Sequence, residues 1–152
     1  MTSYIKRMRI LAIDYGKRRT GIAVTDPLQI IAGGLTTVDT KQLMPFLSNY
    51  FQKEKVERAV IGLPVQPNGQ PSENAARVRS FAGEFRKAFP EIPLDFYDER
   101  FTSVIAHRTM LEGGLPMMKR RDKALVDEIS ACIILQDYMQ VTRNNQTTDF
   151  RK

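Results

Sequence analysis

The chain has one cysteine, Cys132, and one histidine, His107. A lone cysteine permits no intrachain disulfide and excludes a zinc centre built from several cysteines. His107 lies beside Arg108 in a stretch of helical pattern and reads as a structural or solvent-facing residue. No apolar run approaches the roughly 20 residues that a membrane helix needs. Met1–Arg9 carries no apolar core followed by a small-residue cleavage site, and the longest early apolar run, Ile10–Ile13, is only strand-sized. These absences predict a cytoplasmic protein with no membrane segment. There is no internal repeat and no long linker. What remains is a chain of 152 residues, 42% hydrophobic, which suits one domain around one core. The domain is expected over residues 1–142, with 143–152 as a flexible polar tail.

The formal net charge is +6. A basic surface attracts polyanions, of which nucleic acid is the commonest in the cytoplasm. The basic residues are clustered. Lys6, Arg7 and Arg9 precede the first apolar run, Lys17, Arg18 and Arg19 follow it, and Lys119, Arg120, Arg121 and Lys123 form a third group. Such groups in loops suit phosphate contacts better than evenly spread charge does. The blander reading is solubility.

Hydrophobic patterning gives alternating strands and helices. Arg9–Asp14 is a strand, apolar over Ile10–Ile13 and so buried on both faces. A tight turn over Gly16–Gly21 leads to a second strand, Ile22–Thr25, antiparallel to the first. Ile30–Val38 is a third strand with a bulge or bend at Gly33–Gly34. Leu43, Phe46, Leu47, Tyr50 and Phe51 mark one face of a helix. Arg58–Leu63 is a strand ended by Pro64, and Gln66–Pro71 is a loop. Val78, Phe81, Ala82, Phe85, Ala88 and Phe89 mark a second helix, stopped by Pro90, and Leu94–Asp98 is another strand. Thr102 caps a helix that ends at Gly113–Gly114, Leu115–Lys123 is a basic loop, and a last helix runs from about Ala124 to Val141. An α/β fold follows, a mixed sheet that opens with an antiparallel hairpin, continues with parallel strands and is flanked by helices.

Three carboxylates could carry chemistry. Asp14 ends an otherwise apolar strand, where it either caps the Tyr15–Gly16 turn or serves a site. Asp98 and Glu99 end another strand, and alternation sends them to opposite faces, so only one can join Asp14. The plainer reading of that pair is a surface ion pair with Arg100. Asp127 falls in the expected first turn of the last helix, where the helix dipole alone favours a carboxylate. Yet Ser130, Ala131 and Ile134 share its face, and small residues there let the helix approach the sheet, leaving Glu128 as the exposed neighbour. Phosphodiester cleavage needs an activated water and a stabilised leaving oxygen, which two Mg²⁺ ions about 3.5–4 Å apart supply. Magnesium takes oxygen ligands, so a few carboxylates suffice. Cys132 reads as a core residue, and Met117 and Met118, in the basic loop, as packing residues with a partner contact as the alternative.

Four segments in order, Leu11–Asp26, Val60–Pro64 with Gly69 beyond it, Asp98–Ser103 and Val126–Gln136, together resemble the YqgF family, also called RuvX, of ribonuclease-H-like proteins. The resemblance spans nearly the whole chain. Thr20 departs from it, standing where an aliphatic residue is common. The resemblance implies a ribonuclease-H-like sheet with catalytic, metal-binding carboxylates at Asp14, Glu99 and Asp127. The cofactor expected is Mg²⁺, with Mn²⁺ as the alternative. Lys17, Arg18, Arg19, Arg100, Lys119, Arg120, Arg121 and Lys123 are the expected nucleic-acid contacts. The implied activity is hydrolytic, an endonuclease maturing the 5′ end of pre-16S ribosomal RNA in ribosome biogenesis. Two alternatives stand beside it: resolution of Holliday junctions in branched DNA, and a non-catalytic nucleic-acid-binding or transcription factor. A homodimer is the assembly to test. Actin-like ATPases share the first hairpin, but this length leaves no room for their second domain.

Overall fold

The structure is a computed structural model. It describes residues 8–64, 72–99 and 120–150, with side chains from 123 to 143 in the last stretch. The expected helix from Thr102 to Gly113–Gly114, the Gln66–Pro71 loop, and Lys6, Arg7, Arg100, His107, Met117, Met118 and Lys119 lie outside the described residues.

Among the described residues, five strands form one sheet: β1 (Arg9–Asp14), β2 (Arg19–Thr25), β3 (Ala32–Asp39), β4 (Val56–Leu63) and β5 (Leu94–Asp98), in the spatial order β3-β2-β1-β4-β5. β1 pairs antiparallel with β2, and β2 antiparallel with β3. β4 lies parallel to both β1 and β5. Helices α1 (Leu43–Lys53) and α2 (Glu73–Ala88) provide the crossovers that parallel neighbours require. The register of β2 against β3 shifts after Ile22, which faces Thr36, while Ala23 faces Gly34, so Leu35 is the extra residue of a bulge.

Alternation along each strand sorts the core into two layers. Leu11, Ile13, Ile22 and Ile61 face α1 and α2, where they meet Leu43, Leu47, Val78, Phe81 and Phe85. Ile10, Ala12, Ala23 and Val60 face the last helix, α3 (Arg120–Phe150), where they meet Ala131, Ile134, Leu135 and Tyr138. Both faces of β1 are therefore covered, as its unbroken apolar run predicts.

The last helix departs from expectation at both ends. It begins at Arg120 and continues to Phe150, so Arg120, Arg121 and Lys123 lie on helix rather than in a loop, and the backbone of the expected tail is helical to Phe150. Arg, Lys, Ala and Leu are all good helix formers, and clustered charge is a poor sign of a loop. The second strand also starts early, at Arg19, which shortens the turn and puts Gly21 opposite Asp14.

Candidate active site

Asp14 is the last residue of β1 and shares the parity of Ile10 and Ala12, so its side chain is on the α3 face. On β5, Phe96 belongs to the α1–α2 layer and Tyr97 to the α3 layer. By the same alternation Asp98 faces α1 and α2, and Glu99, the next residue, faces α3. Glu99 is the strand-end carboxylate on the side of Asp14, and both are buried, 4% and 8% exposed. Asp127 reaches the same place from α3. The three carboxylates line one polar pocket of about 320 Å³, at the ends of β1 and β5 where the chain leaves the sheet.

Close backbone approach makes room for them. A Cβ on Gly21 would collide with the backbone carbonyl of Asp127, so the bare Gly21 lets α3 lie directly on β2 at this point. A Cβ on Gly62 would stand 2.6 Å from Glu99 Oε1 and 2.7 Å from Ile134 Cδ1, so the Glu99 carboxylate rests in the space that β4 leaves open. Thr37 of β3 ties the second turn of α3 to the sheet by donating its hydroxyl to the Ala124 carbonyl at 2.6 Å. Glu128 is not the exposed neighbour expected: it is half-buried over Gly34, where an added Cβ would stand 2.5 Å from its Oε1. Because α3 starts at Arg120, Asp127 lies well inside the helix. The dipole acts within the first turn and does not account for a carboxylate there.

The cations around the pocket divide. Arg19 is on β2, not in the turn, and its Nε donates to Asp127 Oδ2 at 2.6 Å. Lys17 lines the pocket, whereas Arg18 is exposed and absent from its wall. Lys123 is exposed. Tyr15, Asn74 and Arg77 also line the pocket and were not singled out from the sequence. Asn74 and Arg77 are three apart on α2 and so share a face; the only sequence signal for them was that spacing, in a helix read for its core. Asn74 Nδ2 donates to the Tyr15 carbonyl at 2.9 Å. Burial pushes the Tyr15 hydroxyl up, Glu84 adds to this, and the positive charge of Arg77 opposes it.

The donor set is all oxygen and anionic, which fits a hard divalent cation such as Mg²⁺ and not a soft one. It is not a ready-made cage. Among the described residues no three His, Cys, Asp or Glu side chains are gathered closely enough to hold an ion. The guanidinium of Arg19 supplies the positive charge at Asp127.

A five-stranded sheet of this order, one antiparallel hairpin extended by a third strand and by two parallel strands, with acidic residues at the ends of the first and last strands, defines a ribonuclease-H-like protein. The structure of T. thermophilus RuvC in complex with a Holliday junction substrate has the same fold, with a TM-score of 0.54 at 17% identity, covering 88% of this chain and 96% of that one. The chain belongs to the RuvX family, whose model, described as Holliday junction resolvase, matches residues 8–141. A relative in Phocaeicola vulgatus is 61% identical over 132 residues, covering 87% of this chain and 95% of its own, and bears the name "Putative pre-16S rRNA nuclease". Relatives of the same name in Porphyromonas gingivalis and Flavobacterium johnsoniae are 60% and 56% identical, covering 86% and 89% of this chain and 95% and 98% of their own.

Proposed function

We propose that this nuclease is a Mg²⁺-dependent endonuclease of the cytoplasm, acting on the 5′ end of pre-16S ribosomal RNA, with Asp14, Glu99 and Asp127 as its catalytic and metal-holding residues. The observation that carries the reading is that these three carboxylates, far apart in sequence and on three different elements, line a single polar pocket. The relatives named for pre-16S rRNA, more than half identical over nearly their whole length, favour RNA as the substrate.

When bound, the divalent cation would polarise a water and neutralise charge developing on the leaving oxygen. The chain's own residues do the rest. Asp14 and Glu99, held by strand ends, give fixed anionic oxygens in a place shielded from bulk water. Asp127 would be the third residue to hold the cation, and Arg19, paired with it at 2.6 Å, keeps its carboxylate oriented and its charge balanced. Lys17, on the rim, offsets the repulsion between the carboxylates and the nucleic-acid backbone. Among the exposed or helical cations, Arg18, Arg120, Arg121 and Lys123 extend the backbone contacts.

Cleavage of a labelled RNA carrying the 16S 5′ leader is the test, run with Mg²⁺, with Mn²⁺ and in EDTA, beside a four-way DNA junction. Cleavage of the RNA with either metal, none in EDTA, and none by Asp14→Asn at unchanged melting temperature is the expected result. Asn is nearly isosteric with Asp but lacks its charge. An Asp14→Asn protein that cuts at the wild-type rate refutes the assignment. Cleavage confined to the junction, the substrate in the family description, moves the function to branched DNA.

A further inference from the structure

Arg77 stands in the pocket wall with the three carboxylates, yet it comes from α2, the element farthest in role from the acidic cluster. The residue is half-buried, and the ion pairs among the described residues do not include it. Arg19, by contrast, already has Asp127. A guanidinium in a pocket wall can take an anionic ligand. A guanidinium matches a phosphate with two parallel hydrogen bonds.

The position of Arg77 is also fixed relative to Asp14. Asn74, Arg77 and Phe81 fall at i, i+3 and i+7, one stripe of α2 turned towards the end of β1. Phe81 packs its ring on Tyr15 with centroids 5.0 Å apart. Asn74 Nδ2 donates to the carbonyl of the same Tyr15 at 2.9 Å. That carbonyl can only accept, so the amide orientation is settled. Tyr15 directly follows Asp14. Two contacts thus lock the start of α2 to the neighbour of a site carboxylate, and the charge of Arg77 is felt at the Tyr15 hydroxyl.

We propose that Arg77 binds a phosphate of the nucleic-acid strand next to the bond addressed by the carboxylates, and that Asn74 positions it, so that α2 sets where along the strand the cut falls. This rests on the nuclease reading above for the meaning of the cut, but not for the binding of phosphate.

The test is binding of a short fluorescein-labelled single-stranded RNA, followed by anisotropy in EDTA over a series of salt concentrations. Arg77→Ala is expected to weaken binding about tenfold, or about 1.4 kcal/mol. It should also lower the slope of log affinity against log salt by about one phosphate contact. The loss should be equal on a DNA strand of the same sequence, because a phosphate contact reads neither base nor sugar. Arg77→Lys retains the slope and recovers part of the affinity. With Mg²⁺ present, Arg77→Ala should spread the cleavage positions. Affinity and slope unchanged in Arg77→Ala overturn the proposal. If that variant fails to fold, Arg77→Gln and Arg77→Lys replace it, and equal affinities for those two overturn it as well. Wild-type protein that binds RNA through Arg77 but cuts nothing refutes the nuclease reading and leaves the phosphate site standing. Wild-type protein that binds no RNA refutes both.

Discussion

At the scale of single residues, the turn after Asp14 is held by two threonines. Thr40 Oγ1 lies 2.6 Å from the Gly16 carbonyl and 2.9 Å from Thr20 Oγ1. A hydroxyl has one proton, and the carbonyl can only accept, so Thr40 donates to Gly16 and accepts from Thr20. The Thr40 backbone N–H also donates to the Arg18 carbonyl at 2.9 Å, closing the turn from outside. Thr40→Val leaves the Gly16 carbonyl and the buried Thr20 hydroxyl without this partner, and the expected loss is about 1–3 kcal/mol. Thr20→Val leaves the Thr40–Gly16 bond in place, and the expected loss is about 0.5–1.5 kcal/mol. Urea unfolding of the two variants decides the matter, and equal losses would mean that the Thr40–Gly16 bond adds nothing to the Thr20–Thr40 pair. Thr20 was legible in the sequence only as a departure from an aliphatic position, since its partner is 20 residues away. Glu99 was legible to within one residue. Alternation showed that Asp98 and Glu99 part company, but choosing between them needs the layer to which Phe96 and Tyr97 belong, and both are aromatic and equally suited to either face. Arg19 was placed in a turn as a phosphate contact. Its pairing with Asp127, 108 residues on, is a tertiary contact with no local signature.

At the scale of elements, strands were read well and the last helix poorly, for a physical reason. β1 and β5 have bounds that apolar content and flanking polar residues define, and Arg9–Asp14 and Leu94–Asp98 stand as expected. The helical segment Arg120–Lys123 has no apolar periodicity to announce it, only propensity. The site depends on how closely that helix meets the sheet, and glycines decide this. Gly62→Ala puts a methyl group 2.6 Å from Glu99 Oε1 and 2.7 Å from Ile134 Cδ1. Overpacking of this kind costs about 1–3 kcal/mol, and the mobile end of the clash is the carboxylate. Cleavage should therefore fall further than stability does, with Glu99 turned away from Asp14. Gly83 gives the control. It is exposed within α2, and a Cβ there meets nothing within 4 Å. Gly83→Ala should raise stability by about 0.5–1 kcal/mol through helix propensity, with cleavage unchanged. Thermal melts and initial rates on the same preparations separate the two effects. A Gly62→Ala protein as active as wild type would show that Glu99 does not need its place over β4.

At the scale of the whole molecule, two electrostatic demands oppose each other. The chain carries a formal net charge of +6, while the pocket gathers three carboxylates. A polyanion is attracted from a distance, and at the point of reaction it meets the carboxylates together with the cations Lys17, Arg19 and Arg77. The long-range attraction is screened, since the Debye length is about 8 Å at physiological ionic strength. Contacts inside a shielded pocket are screened much less. Added salt should therefore act on capture and not on chemistry. KM for the RNA should rise steeply between about 50 and 200 mM salt, while kcat at saturating RNA stays nearly constant. The basic residues at the start of α3 are expected to act in capture, since they lie two turns of helix before Asp127. Replacing Arg120 and Arg121 together with Ala should flatten the dependence of KM on salt, by about one unit of slope per lost phosphate contact. It should leave kcat unchanged. Steady-state kinetics at several salt concentrations read both quantities at once. If the double variant keeps the wild-type slope, those arginines only solubilise the protein, and the strand reaches the pocket by another path. If its kcat falls while the slope holds, the start of α3 acts by placing Asp127 rather than by drawing in the substrate.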